Sequence, residues 1–322
     1  MNTYKILITG GSGFIGTNLI DYFITNGHII INIDYCKPQK ESHIQFWKDI
    51  DITNYTILEK AILDFNPDYI VHLAARTDLY GKTIDDYNAN IQGVANIINI
   101  SHLLPSLKKI IITSSMLVCH TGYQPKDQLD YSPTTLYGES KVKTENIVWE
   151  NPPRCDWAII RPTSIWGPWF GIPYKNFFDM IIAKKYFHIG HKGCTKTYGF
   201  VGNAVYQISN ILFKSTTNYN NKVFYIGDNP PTNIEEWANE IAFQLNQKIY
   251  HIPFFMIKIA AIIGDLLKKC NILFPMTSFR LKNMTTNNIA NLQNTYEIAP
   301  NPPYKRKEAI AITLNWIKNQ DK

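Results

Sequence analysis

The amino-acid sequence predicts a protein of the α/β class, with a doubly wound parallel sheet followed by a smaller mixed α+β lobe. Three observations lead to this prediction. Short β-branched segments alternate with helix-length segments, each β-branched segment is apolar almost throughout, and the alternation stops after residue 161. Strands that are apolar on both sides are typical of a sheet covered by helices on both faces. A chain of 322 residues is long enough for such a domain and a second lobe.

The predicted elements follow a regular order. The strands of the first half, with helices between them, occupy residues 4–9, 29–34, 69–73, 109–114 and 157–161. Proline and glycine residues between 162 and 173 then mark the exit from the sheet. The second half is predicted to contain strands at 187–190 and 223–226, and helices near 176–185, 203–213, 234–245, 253–269 and 306–318.

Composition and charge exclude several classes of protein. Only 18% of the residues are charged and 45% are apolar, which excludes a disordered chain. The net charge is +6, but only five of the 32 basic residues are arginines and they are scattered, so we expect no nucleic-acid partner. The five cysteines are odd in number and widely spaced. This spacing disfavours a disulfide framework or a zinc site and indicates a reducing compartment.

No segment of the sequence predicts a membrane span or a leader. The longest apolar stretch, residues 252–267, is interrupted by Lys258 and Asp265 and is too short to cross a bilayer. The first predicted strand begins at residue 4, which leaves no room for a signal peptide. We therefore expect a cytoplasmic protein with no membrane partner and no metal.

A glycine-rich turn lies between the first predicted strand and the following helix. Residues 10–16 read Gly-Gly-Ser-Gly-Phe-Ile-Gly. Glycine permits the unusual backbone angles and the close approach to a pyrophosphate that such a turn needs, and the helix N-terminus attracts phosphate. Asp34 ends the next strand, 21 residues after Gly13, where a carboxylate binds an adenosine ribose and repels a 2′-phosphate. The pattern favours NAD over NADP, although Lys37 nearby keeps NADP as an alternative.

Tyr137 and Lys141 form a candidate catalytic pair. Their i, i+4 spacing places both on one face of a predicted helix. A free tyrosine titrates near pH ~10, but a neighbouring ammonium stabilises the phenolate, so the pair can exchange protons with a hydroxyl or a ketone. The strand at 109–114 leads into Thr113-Ser114-Ser115, and a hydroxyl there is positioned to hold the reacting oxygen.

Taken together, these motifs resemble the extended short-chain dehydrogenase/reductase family, in particular its nucleotide-sugar epimerase/dehydratase branch. The resemblance covers essentially the whole chain and rests on residues 9–16, Asp34, 72–75, Asn90, 114–115, Tyr137, Lys141, 161–162, 167–168 and 225–227. It implies an NAD-binding Rossmann-type domain over residues 1–165, to which 203–222 return. It also implies a substrate-binding lobe over 166–202 and 223–322, and a homodimer.

The resemblance also implies roles for individual residues. Ser115 and Tyr137 would contact the reacting oxygen, and Lys141 would also hold the nicotinamide ribose. The remaining cofactor-binding residues that it implies are Gly10, Gly13, Phe14, Ile15, Gly16, Asp34, Asp51, Ile52, Leu73, Ala74, Ala75, Asn90, Thr113, Pro162 and Thr163. The expected substrate-binding residues are Ser115 and Ser164, with Lys196 and Arg280 as the basic side chains near a substrate diphosphate.

One departure from the family pattern bears on the reaction. Met116 and Leu117 stand where 4,6-dehydratases of the family carry an Asp-Glu pair, so the chain lacks an acid and a base for removing water. We therefore expect an NAD-dependent oxidoreductase or epimerase that acts at C4 of a nucleotide-diphosphate sugar, in surface polysaccharide precursor synthesis, with Tyr137 as acid–base.

Three alternatives stay open. The first is an NAD(P)H-dependent, one-way reductase of a 4-keto-6-deoxy-sugar nucleotide. The second, a non-catalytic dinucleotide-sensing scaffold, is disfavoured by the intact Ser115, Tyr137 and Lys141. A steroid or flavonoid substrate is the third and is less favoured than a sugar.

Overall fold

The structure is a computed structural model that describes residues 2–190, 193–217, 219, 222–269, 272, 274 and 276–320. The strands in these residues are β1 (Lys5–Thr9), β2 (Ile29–Asp34), β3 (Trp47–Asp49), β4 (Tyr69–His72), β5 (Lys109–Thr113), β6 (Asp156–Pro162), β7 (Ser164–Trp166), β8 (His188–Ile189), β9 (Thr195–Lys196), β10 (Tyr198–Phe200), β11 (Val223–Ile226), β12 (Thr232–Asn233) and β13 (His251–Ile252). The α-helices are α1 (Phe14–Thr25), α2 (Tyr55–Phe65), α3 (Asn88–Ser101), α4 (Leu136–Glu150), α5 (Tyr174–Ile182), α6 (Val201–Phe213), α7 (Ile234–Gln244), α8 (Phe254–Lys269), α9 (Ser278–Thr285), α10 (Gln293–Ile298) and α11 (Arg306–Gln320).

Seven of the described strands form one parallel sheet in the order β11-β6-β5-β4-β1-β2-β3. From β1 the chain adds strands on one side as far as β3 and then on the other side from β4 onward. The strand order therefore reverses at β1. In sheets of this kind, ligands bind beyond the carboxyl ends of the strands at the point of reversal. The glycine-rich turn follows β1 and lies at that point.

Helices cover both faces of the sheet. Successive side chains of a strand point to opposite faces, and in β1 both sets are buried from Ile6 onward. Ile6 and Ile8 belong to the core on the side of α1 and α6, whereas Leu7 belongs to the core on the side of α2 and α3. This two-sided burial explains why the strands are apolar throughout and confirms the predicted fold class.

Three short two-stranded sheets and four helices build most of the second lobe. β7 pairs with β10, β9 with β12, and β8 with β13. The rings of Trp166, Phe178 and Trp237 pack together at centroid distances between 5.0 and 5.7 Å, and they continue the core on the α6 side of the large sheet. Helices α5, α7, α8 and α9 surround this lobe. Within the described part of the chain, no helix has the length and apolar character needed to cross a membrane.

Two features of the sheet differ from the sequence-based expectation. The strand at 223–226 pairs with β6 as an edge of the large sheet, whereas the expectation assigned residue 223 onward to the second lobe. The assignment of this strand changes because its pairing partner is β6, and spacing along the chain does not reveal which strands pair. The other edge strand, β3, is three residues long and carries Lys48 and Asp49, so it showed no apolar run.

Candidate active site

The glycine-rich turn brings two backbone segments into direct contact. Gly10 has a φ of +73°, and a Cβ built on it would lie 2.5 Å from the backbone nitrogen of Ala74. A Cβ on Gly16 would overlap the carbonyl oxygen of Gly10. Gly13 caps α1 without a side-chain hydrogen bond, which leaves the first N–H groups of the helix without a side-chain acceptor. The turn thus presents the N-terminus of α1 to any anion at this edge of the sheet.

Asp34 ends β2 directly beside this turn. Its carboxylate is only 9% exposed and accepts hydrogen bonds from the backbone N–H groups of Ser12 at 3.0 Å and Cys36 at 2.9 Å. Burial raises the pKa of the carboxyl group, and these N–H donors act in the opposite direction. Because each carboxylate oxygen carries more than one lone pair, Asp34 retains acceptor capacity toward a ligand. Lys37, three residues later, is exposed.

A polar contact under the turn was missed by the sequence reasoning. Asn32 lies in the middle of β2, is fully buried, and donates to the hydroxyl of Ser12 at 3.2 Å. The same side chain occupies the space that a Cβ on Gly11 would need. An asparagine inside an otherwise apolar strand is the signal that would have indicated it.

Ser115, Tyr137 and Lys141 meet at the carboxyl end of β5. Ser115 caps the short turn that follows β5, and its Oγ accepts a hydrogen bond from the N–H of Leu117 at 3.1 Å. Tyr137 lies in the first turn of α4, which Thr135 caps. Ser115 is 8% exposed, Tyr137 7% and Lys141 2%, so the three side chains form a buried polar group.

Burial controls the protonation of this group. It raises the pKa of Tyr137 to about 12, while the neighbouring Ser115 hydroxyl lowers it. Burial also lowers the pKa of Lys141 to about 8, against the opposing effect of Glu145. The Lys141 ammonium lies 6.0 Å from the centroid of the Tyr137 ring. Its Nζ donates to the carbonyl oxygen of Thr113 at 2.9 Å. The expected net lowering of the Tyr137 pKa is not found, because burial of the phenol outweighs the lowering by Ser115.

Further buried polar atoms lie at the ends of the same strands. Thr113 Oγ1, Ser114 Oγ and His72 Nε2 have no hydrogen-bond partner among the described residues. The other ring nitrogen of His72 is bonded to Thr9 Oγ1 at 2.7 Å. Burial and the Lys141 ammonium lower the pKa of His72 to about 3, so this histidine is neutral near pH 7.

Asn90 holds the segment after β4 against α4. Its Oδ1 accepts from the N–H of Arg76 at 2.7 Å, and its Nδ2 donates to the Arg76 carbonyl at 3.1 Å and to Ser140 Oγ at 3.0 Å. Asn90 is fully buried. It therefore fixes residues 73–76, with Ala74 and Ala75, between the glycine-rich turn and α4.

The remaining predicted cofactor residues occupy two places. Asp51 is exposed and accepts hydrogen bonds from Thr53, while Ile52 is buried against Gly93 of α3. Both follow β3. Phe14 and Ile15 begin α1, Leu73 follows β4, Pro162 ends β6, and Thr163 donates to the carbonyl of Ile226 at 2.8 Å. All of these lie at the carboxyl edge of the sheet.

A buried ion pair joins α4 to β6. Arg161 donates from Nε to Glu145 Oε1 at 2.8 Å and from an Nη atom to Oε2 at 2.7 Å. The two side chains are 1% and 0% exposed, and Tyr131 also donates to Glu145 at 2.9 Å. Glu145 follows Lys141 by four residues on the same buried face of α4. Sequence reasoning noted Arg161 but not its partner.

The second lobe contains a cavity of about 450 Å³. Lys196 lines it, together with Tyr174, Tyr198 and Phe254. Burial lowers the pKa of Lys196, whose Nζ donates to the carbonyl of Asn283 at 2.6 Å. The Tyr174 hydroxyl donates to Ser164 Oγ at 2.6 Å, which connects the cavity wall to the start of β7.

The structure does not bring every expected substrate residue to this cavity. Arg280 is exposed on α9 and does not line the cavity. Ser115 and Tyr137, which are buried, do not line it either. The loop after Ser115 does reach the second lobe, because the N–H of Gly122 donates to Asn288 Oδ1 at 3.0 Å. The buried group of Ser115, Tyr137 and Lys141 is therefore connected to the cavity of the second lobe through loops, and the two share no lining residue.

A family comparison decides what this arrangement is. The family described as "NAD dependent epimerase/dehydratase family" matches residues 6–204, which include the turn, Asp34 and the three catalytic candidates. The chain belongs to this family. Membership confirms the predicted resemblance and agrees with the predicted NAD cofactor and enzyme class.

Individual members resemble the chain over nearly its whole length. The N-acetyl-alpha-D-glucosaminyl-diphospho-ditrans,octacis-undecaprenol 4-epimerase of Escherichia coli O157:H7 is 27% identical over 97% of this chain and 95% of that protein. The Bordetella bronchiseptica enzyme WbmG, solved with NAD and UDP, has a TM-score of 0.75 at 18% identity and covers 99% of this chain and 95% of its own. The UDP-glucuronic acid 4-epimerase of Bacillus cereus, solved with UDP-glucuronic acid and NAD, has a TM-score of 0.76 at 18% identity and covers 98% and 99%. The solved structures share the fold of this chain.

The residues of this epimerase/dehydratase family member fit NAD. The backbone around Gly10 leaves no room for a Cβ, and the N-terminus of α1 has no side-chain cap, as a pyrophosphate site requires. The Asp34 carboxylate lies beside that turn. The hydroxyls of Thr113 and Ser114 are buried without partners in the described structure, which leaves donors and acceptors for a polar ligand.

Proposed function

We propose that the protein is an NAD-dependent 4-epimerase of a sugar that is linked through a diphosphate to a carrier, in surface polysaccharide precursor synthesis. The observation that carries the proposal is the meeting of Ser115, Tyr137 and Lys141 in one buried group, at the same edge of the sheet as the glycine-rich turn. The family description combines NAD dependence with epimerisation.

Tyr137 is the proposed acid–base. It takes the proton of the C4 hydroxyl when C4 is oxidised and gives it back when the ketone is reduced. Ser115, whose hydroxyl interacts with the phenol, holds the C4 oxygen. Lys141 is the fixed positive charge that favours the phenolate. A positioned acid–base of this kind contributes typically 10²–10⁴-fold to a rate.

The proposed reaction is balanced within the site. C4 loses a proton from its oxygen and a hydrogen with two electrons from its carbon, which leaves a ketone. Return of the hydride to the opposite face of the C4 carbon, and of the proton to the C4 oxygen, inverts C4 without changing the mass. NAD, when bound, supplies a reversible acceptor for those two electrons. The chain contributes the proton carrier and the position of the sugar.

The residues proposed to hold NAD are those at the carboxyl edge of the sheet. For the pyrophosphate they are Gly10, Gly13, Phe14, Ile15 and Gly16, and for the adenosine Asp34, Asp51 and Ile52. For the rest of the NAD molecule the proposed residues are Leu73, Ala74, Ala75, Asn90, Thr113, Tyr137, Lys141, Pro162 and Thr163. Of these, Asn90 acts by positioning, because its polar atoms are bonded to Arg76 and Ser140.

The cavity of the second lobe is the proposed place of the diphosphate. Lys196 supplies a half-buried positive charge there. Ser164 is coupled to the cavity wall through Tyr174. Arg280 is assigned to the same diphosphate from the sequence alone.

Two carriers are candidates. A nucleotide is favoured by solved relatives that contain UDP or a UDP-sugar. A polyprenol is favoured by the Escherichia coli relative, which is named for a substrate on undecaprenol diphosphate and aligns over 97% of this chain. Both present the same chemistry at C4 and at the diphosphate. We also propose a cytoplasmic homodimer that buries the outer faces of α3 and α4, by family resemblance.

The test incubates the purified protein and NAD⁺ with UDP-N-acetylglucosamine, UDP-glucose, UDP-glucuronic acid and a polyprenyl-diphosphate N-acetylglucosamine. We expect a product of unchanged mass and inverted C4, with no solvent deuterium at C4 when the reaction is run in D₂O. The Tyr137→Phe variant is the control. A product that has gained or lost two hydrogens would replace the epimerase with a reductase or a dehydrogenase. A product that has lost water would overturn the exclusion of dehydratase activity, which rests on Met116 and Leu117.

A further inference from the structure

The outer face of α8 is apolar and exposed to solvent. The side chains on it are between 45% and 63% exposed, and they are Phe255, Met256, Ile259, Ile262, Ile263 and Leu266. Positions 255, 259, 262 and 266 follow each other at the spacing of one helix face. Large apolar side chains arranged in one continuous stripe mark an interaction surface, whereas scattered single ones do not.

The opposite face of α8 is anchored to the protein. Ile257 and Ala261 are buried against Leu281 of α9. A Cβ on Gly264 would overlap the carbonyl of Met276, so the helix backbone lies directly on the neighbouring chain. A helix with apolar side chains on two opposite sides is normally covered on both. Here one side is covered by protein and the other is not.

The charge of the chain is concentrated around this face. Residues 246–290 contain six lysines and arginines and one acidic residue, Asp265, a net charge of +5 within a chain of net charge +6. Lys248, Lys258, Lys268 and Lys282 are exposed. Asp265 is half-buried and accepts a hydrogen bond from the N–H of Ser278 at 3.1 Å.

We propose that α8 is an interfacial helix that docks the protein on the surface of an anionic phospholipid membrane. Its apolar stripe enters the boundary between headgroups and acyl chains, and the flanking lysines contact anionic headgroups, as in other helices that lie in this plane. At 16 residues, α8 is about 24 Å long, so it lies along the membrane rather than across it. This departs from the expectation of no membrane partner, which considered only spanning segments.

A second copy of the chain fits this face less well than a membrane. A symmetric contact through α8 would bring two segments of net charge +5 together, and like charges repel across an interface. An anionic bilayer satisfies the apolar stripe and the positive charge at once.

The docking surface is continuous with the cavity of the second lobe. Phe254, the first residue of α8, lines that cavity, and so does Met284 of α9. A membrane under α8 would therefore lie next to the part of the cavity wall that Phe254 forms. The docking extends the proposed function, since a polyprenyl-linked diphosphate is presented at that surface, but it can be measured without any sugar.

The experiment measures co-sedimentation of the full chain with vesicles of phosphatidylcholine alone and of phosphatidylcholine with phosphatidylglycerol. We expect binding to the mixed vesicles that decreases with salt, because surface charge attraction is screened. The Ile259→Asp/Ile262→Asp variant is expected to bind at least about tenfold more weakly. The Lys258→Glu/Lys268→Glu variant is expected to lose the preference for phosphatidylglycerol. Ile57→Asp, at a side chain of α2 that is 52% exposed, is the matched control and should bind like the wild type.

Two further measurements test whether the variants are folded and whether α8 itself contacts the lipid. Circular dichroism and NAD⁺ binding establish that each variant is folded. Brominated lipids should quench the added fluorescence of Phe255→Trp but not that of Phe243→Trp, whose side chain on α7 is 79% exposed. Absence of binding to mixed vesicles by the folded wild type would overturn the proposal. So would a dimer that the Ile259→Asp/Ile262→Asp variant abolishes, since the occupant would then be a second copy. Neither result bears on the epimerase reaction.

Discussion

The ammonium group of Lys141 donates a hydrogen bond of 2.9 Å to the backbone carbonyl of Thr113. Thr113 ends β5 and is followed by the residues that lead to Ser115, while Lys141 lies one turn after Tyr137 in α4. This bond therefore ties the end of β5, which leads to Ser115, to the helix that carries Tyr137. Because Lys141 is 2% exposed, its positive charge also belongs to the low-dielectric interior of the site, where it acts strongly on its neighbours.

Replacing Tyr137 with phenylalanine removes the proposed proton carrier and keeps the ring. We expect kcat to fall by about 10²–10⁴-fold and the Kd for NAD⁺ to change less than about threefold, because a lost phenol hydroxyl affects the reaction more than the binding of a large dinucleotide. Single-turnover kinetics and calorimetric titration measure the two quantities. Retention of more than about a tenth of the wild-type kcat would contradict the acid–base role.

Asp34 should control the choice between NAD and NADP. The double substitution Asp34→Ser/Tyr35→Arg removes the carboxylate and adds a cation at a side chain that is 72% exposed. We expect the ratio of the Kd values for NAD⁺ and NADP⁺ to move toward NADP⁺ by at least about tenfold, about 1.4 kcal/mol. Tyr35→Arg alone is the control, since it keeps the hydrogen bonds of Asp34 to Ser12 and Cys36. A wild-type protein that already prefers NADP⁺ would refute the assignment.

Substitutions at Gly10 and Gly27 distinguish the effect of a steric contact from the effect of backbone strain. Both have positive φ, +73° and +78°, but a Cβ on Gly10 would meet Ala74 at 2.5 Å whereas nothing lies within 4 Å of a Cβ on Gly27. Gly27→Ala should cost only the strain of that conformation, about 1–2 kcal/mol of unfolding free energy. Gly10→Ala should cost more than that and weaken NAD⁺ binding. Equal effects in urea unfolding and titration would show that the contact with Ala74 is unimportant.

The ion pair of Glu145 and Arg161 should matter more for the free energy of unfolding than an exposed pair, because it is buried. Glu145→Gln leaves the guanidinium buried beside an uncharged partner, and we expect a loss of about 3–5 kcal/mol in unfolding free energy. Asp179→Asn breaks the pair with Lys175, whose side chains are 40% and 33% exposed, and should cost less than about 1 kcal/mol. Denaturant unfolding compares the two. Similar losses would mean that burial of the Glu145 pair has no special weight.

His72 should make the protein less stable in mild acid. Its pKa is about 3 in the folded protein and near ~6.5 when unfolded, so between these values only the unfolded chain binds a proton. Stability contributed by the neutral ring is present above pH ~6.5 and falls as the pH is lowered toward ~3. Between pH ~7 and ~5 the loss from this group is about 2 kcal/mol.

The variant His72→Gln removes that term, so its unfolding free energy should change less between the same two pH values. Comparison with the wild type is needed because burial raises the pKa of Asp228 to about 6, which makes its contribution fall as the pH rises. His120→Gln, at an exposed histidine, is the control. Parallel pH curves for wild type and His72→Gln would exclude the neutral buried ring.

Local pattern was sufficient for most of the regular structure. The second strand was predicted at 29–34 and is found there, and helices predicted at 203–213 and 253–269 differ from α6 and α8 by two residues or fewer. These segments can be recognised in the sequence because a strand buried on both faces needs an uninterrupted apolar run. A helix buried on one face needs an apolar repeat near 3.6 residues. The glycine-rich turn was recognisable for a related reason, since only glycine fits its backbone.

Pairings between distant residues lay beyond local pattern. The Glu145 carboxylate lies 16 residues from Arg161, and Lys196 reaches the carbonyl of Asn283 from 87 residues away. Charge and spacing name such groups as candidates, but any of the acidic residues could have met Arg161. The expected place of Arg280 beside Lys196 depended on the same kind of guess, and the structure leaves Arg280 exposed on α9.

Residue type and spacing along the chain settled the fold class, the turn after β1 and the pairing of Tyr137 with Lys141 on one helix face, because each of these depends on residues within about one helix or one strand. The folded chain alone decided that β11 closes the large sheet, that burial raises the pKa of Tyr137, and that one side of α8 faces solvent. The apolar run at 252–267 is the same whether both sides of the helix are covered or one. Exposure, protonation and strand partners depend on which segments come together in space, and the free energy of that packing is shared among residues far apart in the sequence.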